Sequence, residues 1–163
     1  MAIDNLDSLV FIGRVSVVDA ATGTAVVTRP DKAGKTTAPL FVLQRGTAIS
    51  KDYWMPGIDD QVVCLLLPNT SGKGVGAGFI LGAIYSNVDQ PPTGASERSR
   101  VLDHQGDLTI RVSGALSIEA GKMDVKAGDG VVSTTGDVVA SGISLRSHTH
   151  PGDSGGSTGT PNA

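Results

Sequence analysis

The sequence predicts an all-β protein in two physically different parts. The first is an N-terminal OB-fold-like barrel. The second is a run of short strands that wraps around a common axis with other copies of the chain. Three observations predict this. Short β-branched runs bounded by Gly, Asp and Pro fill the first half, with no long helical pattern. All six aromatic residues, Phe11, Phe41, Tyr53, Trp54, Phe79 and Tyr85, precede Pro91-Pro92. Beyond that break Gly106, Gly114, Gly121, Gly128, Gly136 and Gly142 recur every six to eight residues, with alternating segments between them.

The elements of the first half follow in order. "LVFIGRVSVVD" and "TAVVTRPD" read as two strands, and Ala21-Thr22-Gly23 as the tight turn between them. "LFVLQ" is a third strand. "QVVCLLL" is apolar without interruption and reads as a buried strand. "GFILGAIYS" is the last strand before "NVDQPP". "SGKGVGAG", Ser71 to Gly78, has glycines reminiscent of a phosphate loop but lacks the G-K-[S/T] order, so it reads as a mobile hairpin loop between two apolar strands. Five short strands with no long helix predict a small Greek-key barrel, for which the five-stranded OB-fold is the natural candidate.

The second half alternates strictly. "DLTIRV" places Leu108, Ile110 and Val112 on one face and Asp107, Thr109 and Arg111 on the other. "ALSIEA" opposes Leu116 and Ile118 to Ser117 and Glu119. "KMDVKA" opposes Met123, Val125 and Ala127 to Lys122, Asp124 and Lys126. Each strand offers only two or three aliphatic side chains and no aromatic one. One copy is too thinly apolar to bury enough surface and leaves strand edges unpaired. Several copies around one axis remove both difficulties, which predicts an obligate oligomer, most simply a homotrimer forming a thin prism. The same pattern also fits a single-chain β-solenoid or a partly disordered tail.

The formal net charge of −3 argues against a basic face that holds nucleic acid. The single cysteine, Cys64, excludes an intramolecular disulfide and sits in an apolar run as a small hydrophobe. The start "MAIDNLDSLV" lacks the basic region of a signal peptide, so a product made and assembled in the host cytoplasm is expected.

The stretch "SHTHPGDSGG" admits three readings. GDSGG resembles the surroundings of a protease nucleophile, but no upstream histidine stands in the matching context, and Gly, Asp and Ser are the commonest turn formers. No catalytic residue is expected, and Ser154 reads as a turn residue. His148 and His150 fit an exposed polar tail. They also fit a metal site: residues i and i+2 of an extended chain point the same way, so three copies would bring six imidazoles together. Imidazole suits Fe, Ni, Cu or Zn, and six ligands exclude the usual four-coordinate zinc geometry. The inward positions run through odd-numbered Ile143 and Leu145 while the histidines are even, so the phase has to be reset near Arg146-Ser147. His104, in "VLDHQGD", stands alone and reads as a surface or strand-edge residue rather than a ligand.

A barrel start, the exit "GFILGAIYSNVDQPP", the region "GDVVASGISLRSHTHPG" and a Gly/Ser/Thr/Pro end resemble the central spike of contractile phage tails, the baseplate assembly protein V family, with similar spikes on R-type bacteriocins. The resemblance implies an OB-fold collar over residues 1–90, a linker over 91–100, an intertwined trimeric triple-stranded β-helix over 101–147 and a metal-binding needle tip over 148–163. It implies an axial iron ion, one per trimer, held octahedrally by six histidines, His148 and His150 of each chain. Chloride or calcium ions along the axis are further family features with no residue assigned. The implied partners are two more copies, the tail hub and baseplate proteins through the N-terminal domain, and transiently the target's outer membrane. No nucleic-acid partner is expected. The implied role is mechanical: a spike at the tube tip of a virion or bacteriocin, driven through the outer membrane when the sheath contracts. "NVDQPPTGASERSR" leaves no room for the lysozyme domain some spikes carry, so no enzyme is expected. The alternative is an OB-fold module that binds carbohydrate or single-stranded nucleic acid on a trimerising β-stalk.

Overall fold

The structure, a computed structural model, describes residues 9–69, 75–129 and 134–160. It divides between Leu108 and Thr109 into two compact units. The first unit contains β1 (Val10–Asp19), β2 (Thr24–Arg29), β3 (Lys35–Thr36), β4 (Leu40–Val42), β5 (Gln61–Pro68) and β6 (Val75–Ala83). The five strands read from the sequence are all present. The two-residue β3 and the 3-10 turn Pro30–Lys32 before it are additions.

Strand β1 pairs antiparallel with β5 through its first half and with β2 through its second. One strand serves two neighbours because it bends at a bulge between Val15 and Val17. The backbone freed there is not left unpaired: Val15 donates to the Asp60 carbonyl at 3.0 Å and accepts from Asp59 at 2.9 Å. Strand β5 pairs antiparallel with β6, β6 parallel with β4, and β4 antiparallel with β2, which returns the ring to β1. The result is a closed five-stranded barrel, and closure removes the strand edges. At the β1–β2 turn the Asp19 carboxylate accepts the Ala21 and Thr22 amides at 3.0 and 3.3 Å, and Gly23 takes φ of 67°. The Thr22 hydroxyl, followed by the Thr22 and Ala21 amides, holds the Asp19 carboxyl below its ordinary pKa.

Alternate residues fill the barrel: Phe11, Val15, Val27, Leu40, Val62, Cys64, Leu66 and Ile80 are buried together. Burial pushes the Cys64 thiol up to about 11, as expected of a structural cysteine. Arg29 is also buried, paired with Asp31 at 2.7 Å and lying 3.9 Å over the Phe11 ring. Gly13 faces inward, and a Cβ there would meet the Thr28 carbonyl oxygen at 2.7 Å and the Val27 side chain. Gly13→Ala is therefore expected to destabilise the barrel by about 1–3 kcal/mol, the usual cost of overpacking. A thermal unfolding midpoint equal to wild type would contradict this.

The reading of β5 as a buried strand holds on one face only. Val62, Cys64 and Leu66 point into the core, while Val63 and Leu65 are half-buried and Leu67 is exposed. The reason is architectural, since a single-layer barrel covers only the inner face of each strand. Register aligns Val10 with Leu65, Leu65 with Phe79 and Phe79 with Phe41, an outward apolar row across four strands. The long β4–β5 connection is pinned to the barrel by Gln44, whose side-chain amide both donates to and accepts from the Trp54 backbone at 2.9 Å. The Trp54 indole N–H donates to the Leu43 carbonyl at 2.9 Å.

In the second unit the paired strands are β7 (Val139–Ala140) and β8 (Ile143–Ser144), a short hairpin. The alternating segments at 107–112, 115–120 and 122–127 form no ladder among the described residues. Their aliphatic side chains are exposed: Ile110 is 67 % exposed and Ile118 65 %. The alternation reads as strand, yet among the described residues it pairs with none.

Candidate functional site

The apex begins at the β7–β8 hairpin, whose connecting residues Ser141 and Gly142 both take positive φ, 50° and 80°. Two consecutive positive-φ residues make the tight turn whose twist suits a two-residue hairpin. Asp137 then ties the end of β8 to the start of β7. Its carboxylate accepts the Val138 amide at 2.8 Å and the Arg146 amide at 3.1 Å. The Ser144 hydroxyl, followed by those amides, holds Asp137 below the usual carboxylate range.

Residues 145–147 turn, and the His148 amide donates back to the Ser144 carbonyl at 3.1 Å. This turn stands where the sequence required a change of phase. His148 Nδ1 lies 2.9 Å from the Ser144 carbonyl oxygen and 3.2 Å from that of Leu145. Both partners are acceptors only, so in the neutral ring Nδ1 carries the proton and the Nε2 lone pair is free. The His150 ring stands edge-on to His148, centroids 5.2 Å apart at 88°. The two imidazoles are thus neighbours.

Beyond His150 the chain doubles back. His150 and Thr158 exchange two bonds at 2.9 Å, Pro151 bridges to Ser157, and the Gly152 amide donates to the Gly156 carbonyl at 2.6 Å. GDSGG is the tip of this small hairpin, and Gly155 supplies φ of 80°. Ser154 is exposed and bonds to the neighbouring Asp153 at 3.3 Å. Residues 161–163, the end of the expected apex, lie outside the described residues, as do residues 71–74 of the stretch read as a glycine-rich loop; its remaining residues, Val75 to Gly78, are strand β6 instead, where they pair with β5. His104 is exposed, in the first unit.

The donor set fits a metal incompletely filled by one chain. Among the described residues no group of three or more His, Cys, Asp or Glu side chains could hold an ion. One chain supplies two imidazoles, one of them with its tautomer set by carbonyls as metal-binding histidines are usually held. The barrel offers a different feature, a cleft of about 360 Å³ lined by Thr36, Pro39, Phe41, Leu66, Ala77 and Arg29. Its guanidinium is already committed to Asp31 and Phe11, so the cleft is apolar in character.

A closed barrel, an alternating region that pairs with no strand among the described residues, and a compact histidine-bearing apex make up an all-β protein. Residues 142–162 match the family model described as the GpV Apex motif, and the match supports the central spike family of phage baseplates. No curated protein matches the chain.

Proposed function

We propose that this chain is the membrane-piercing spike of a contractile tail, active as a homotrimer. One observation carries the reading: an apex matching the spike motif follows an alternating region whose aliphatic side chains are exposed and, among the described residues, unpaired. Three copies around an axis would turn those side chains inward and pair every edge, producing the intertwined triple-stranded β-helix and its needle tip. Outward Arg111, Glu119, Lys122, Asp124 and Lys126 would keep its sides soluble. Among the described residues no helix is long and apolar enough to cross a membrane. That fits a shaft pushed through a bilayer rather than one anchored in it.

The barrel would be the collar. Its outward row of Val10, Leu65, Phe79 and Phe41 is the kind of contiguous apolar surface that neighbouring proteins cover, which supports attachment to the tail hub. At the apex, His148 and His150 of three chains would hold one iron ion, with no open position for a substrate. The ion would supply a crosslink, and its binding energy would add to the stability of the point.

The reading predicts that particles whose spike lacks residues 148–160 assemble and contract but no longer permeabilise the target's outer membrane. Dye uptake by target cells measures this. Permeabilisation at the wild-type level would refute the piercing role.

A further inference from the structure

Two residues with no expected role, Asp137 and Ser144, are tied to the residue proposed as a metal ligand. Ser144 contributes to His148 twice through one carbonyl, which accepts both the His148 amide and Nδ1. The Ser144 hydroxyl accepts the Ser147 amide and the Ser147 hydroxyl, each at 2.8 Å. The Asp137 carboxylate accepts the Val138 amide at 2.8 Å. Asp137 also holds the Arg146 amide. Every residue from Ser144 to Ser147 is therefore bonded to this network or to the preceding strand, since the Leu145 amide donates to the Val138 carbonyl at 2.8 Å.

The consequence falls on the imidazole. Its Nδ1 proton is aimed at the carbonyls of Ser144 and Leu145, and the position of those carbonyls depends on how the turn is held. A free neutral histidine is not confined to one tautomer, and the hydrogen bond at one ring nitrogen decides which nitrogen remains for a metal. We propose that Asp137 and Ser144 are positioning residues for the apex: together they clamp the 144–147 turn so that His148 keeps its proton on Nδ1 and presents Nε2 as a ligand. The ligand role of Nε2 rests on the proposed spike reading; the clamp itself does not.

The test separates the two. Nitrogen-15 imidazole spectra of the full-length, metal-free chain, recorded above the histidine titration range, report the tautomer directly. Wild type should show His148 protonated at Nδ1. Asp137→Ala should shift it towards the ordinary mixture, and Asp137→Asn, which keeps an acceptor oxygen for the Arg146 and Val138 amides, should largely restore it. Iron affinity by chelator competition should fall about 10- to 100-fold in Asp137→Ala, the usual loss when a partner behind a metal-binding histidine is removed. Should Asp137→Ala not assemble, Ser144→Ala deletes the hydroxyl link, keeps the carbonyl, and is expected to move the tautomer in the same direction. A wild-type His148 protonated at Nε2, an unchanged tautomer in both alanine variants, or an equal loss in Asp137→Asn overturns the inference. If wild type binds no iron but shows the Nδ1 tautomer and its dependence on Asp137, the metal reading fails and the clamp stands.

Discussion

Replacing His148 and His150 together with alanine is expected to abolish bound metal while leaving the chain trimeric. Wild-type protein from an iron-replete preparation should carry about one metal per three chains, as six imidazoles around an axis fill one octahedral ion. Each chain loses both of its ligands in the double variant, and among the described residues no other cluster of ligating side chains is at hand to replace them. The trimer should survive because its proposed contacts are elsewhere, along the apolar faces that include Ile110 and Ile118. The tip alone should loosen, visible as faster proteolysis beyond Arg146. Elemental analysis combined with light scattering decides the matter. Metal-free wild type, or unchanged metal in the variant, would remove His148 and His150 from the site. Ser154→Ala is the natural control: the hydroxyl bonds only to adjacent Asp153 in an exposed turn, so its removal should alter neither quantity.

Ile110→Asp combined with Ile118→Asp is expected to dissociate the trimer. In the isolated chain both side chains are about two-thirds exposed, 67 % and 65 %, so a monomer would tolerate the change within about 0.5 kcal/mol. In the proposed prism each position faces the axis three times over. Six unpaired carboxylates would then be buried, and each buried unpaired charge costs about 3–5 kcal/mol. Light scattering at micromolar concentration should read a trimer for wild type and a monomer or aggregate for the variant. A variant that stays trimeric would show that these faces do not meet, and a wild type that is a folded monomer would end the spike reading altogether. The matching outward pair, Arg111→Ser with Glu119→Ser, should leave the mass unchanged.

The barrel strands were legible because each is a local pattern. Gly, Asp and Pro bound the runs that became β1, β2, β4, β5 and β6, and Asp19 through Gly23 carries the turn chemistry between the first two. The nearness of the two histidines was legible for the same reason, since period two puts positions 148 and 150 on one side. GDSGG proved to be a turn of the kind its composition suggests. Asp137 was invisible: it acts on Arg146 across a hairpin, and neither spacing nor periodicity marks such a pair. A glycine-aspartate step ahead of a short β-branched run is the faint signal that was present.

The sequence by itself determined the strand content of the barrel and the nearness of the two histidines, but not where the first compact unit ends, which is at Leu108 rather than near Pro92. Tertiary structure decided what those strands enclose. Closure depends on β4 meeting β6 in parallel and β2 in antiparallel register, pairings between segments far apart in the chain. Only closure shows that Val63, Leu65 and Leu67 face outward although their run looks wholly buried, and that Arg29 lies inside against Phe11. The physical reason is one of range. Backbone sterics and side-chain alternation act between near neighbours and leave a readable period, whereas the choice of partner strand is set by which pairings seal a ring around one shared core.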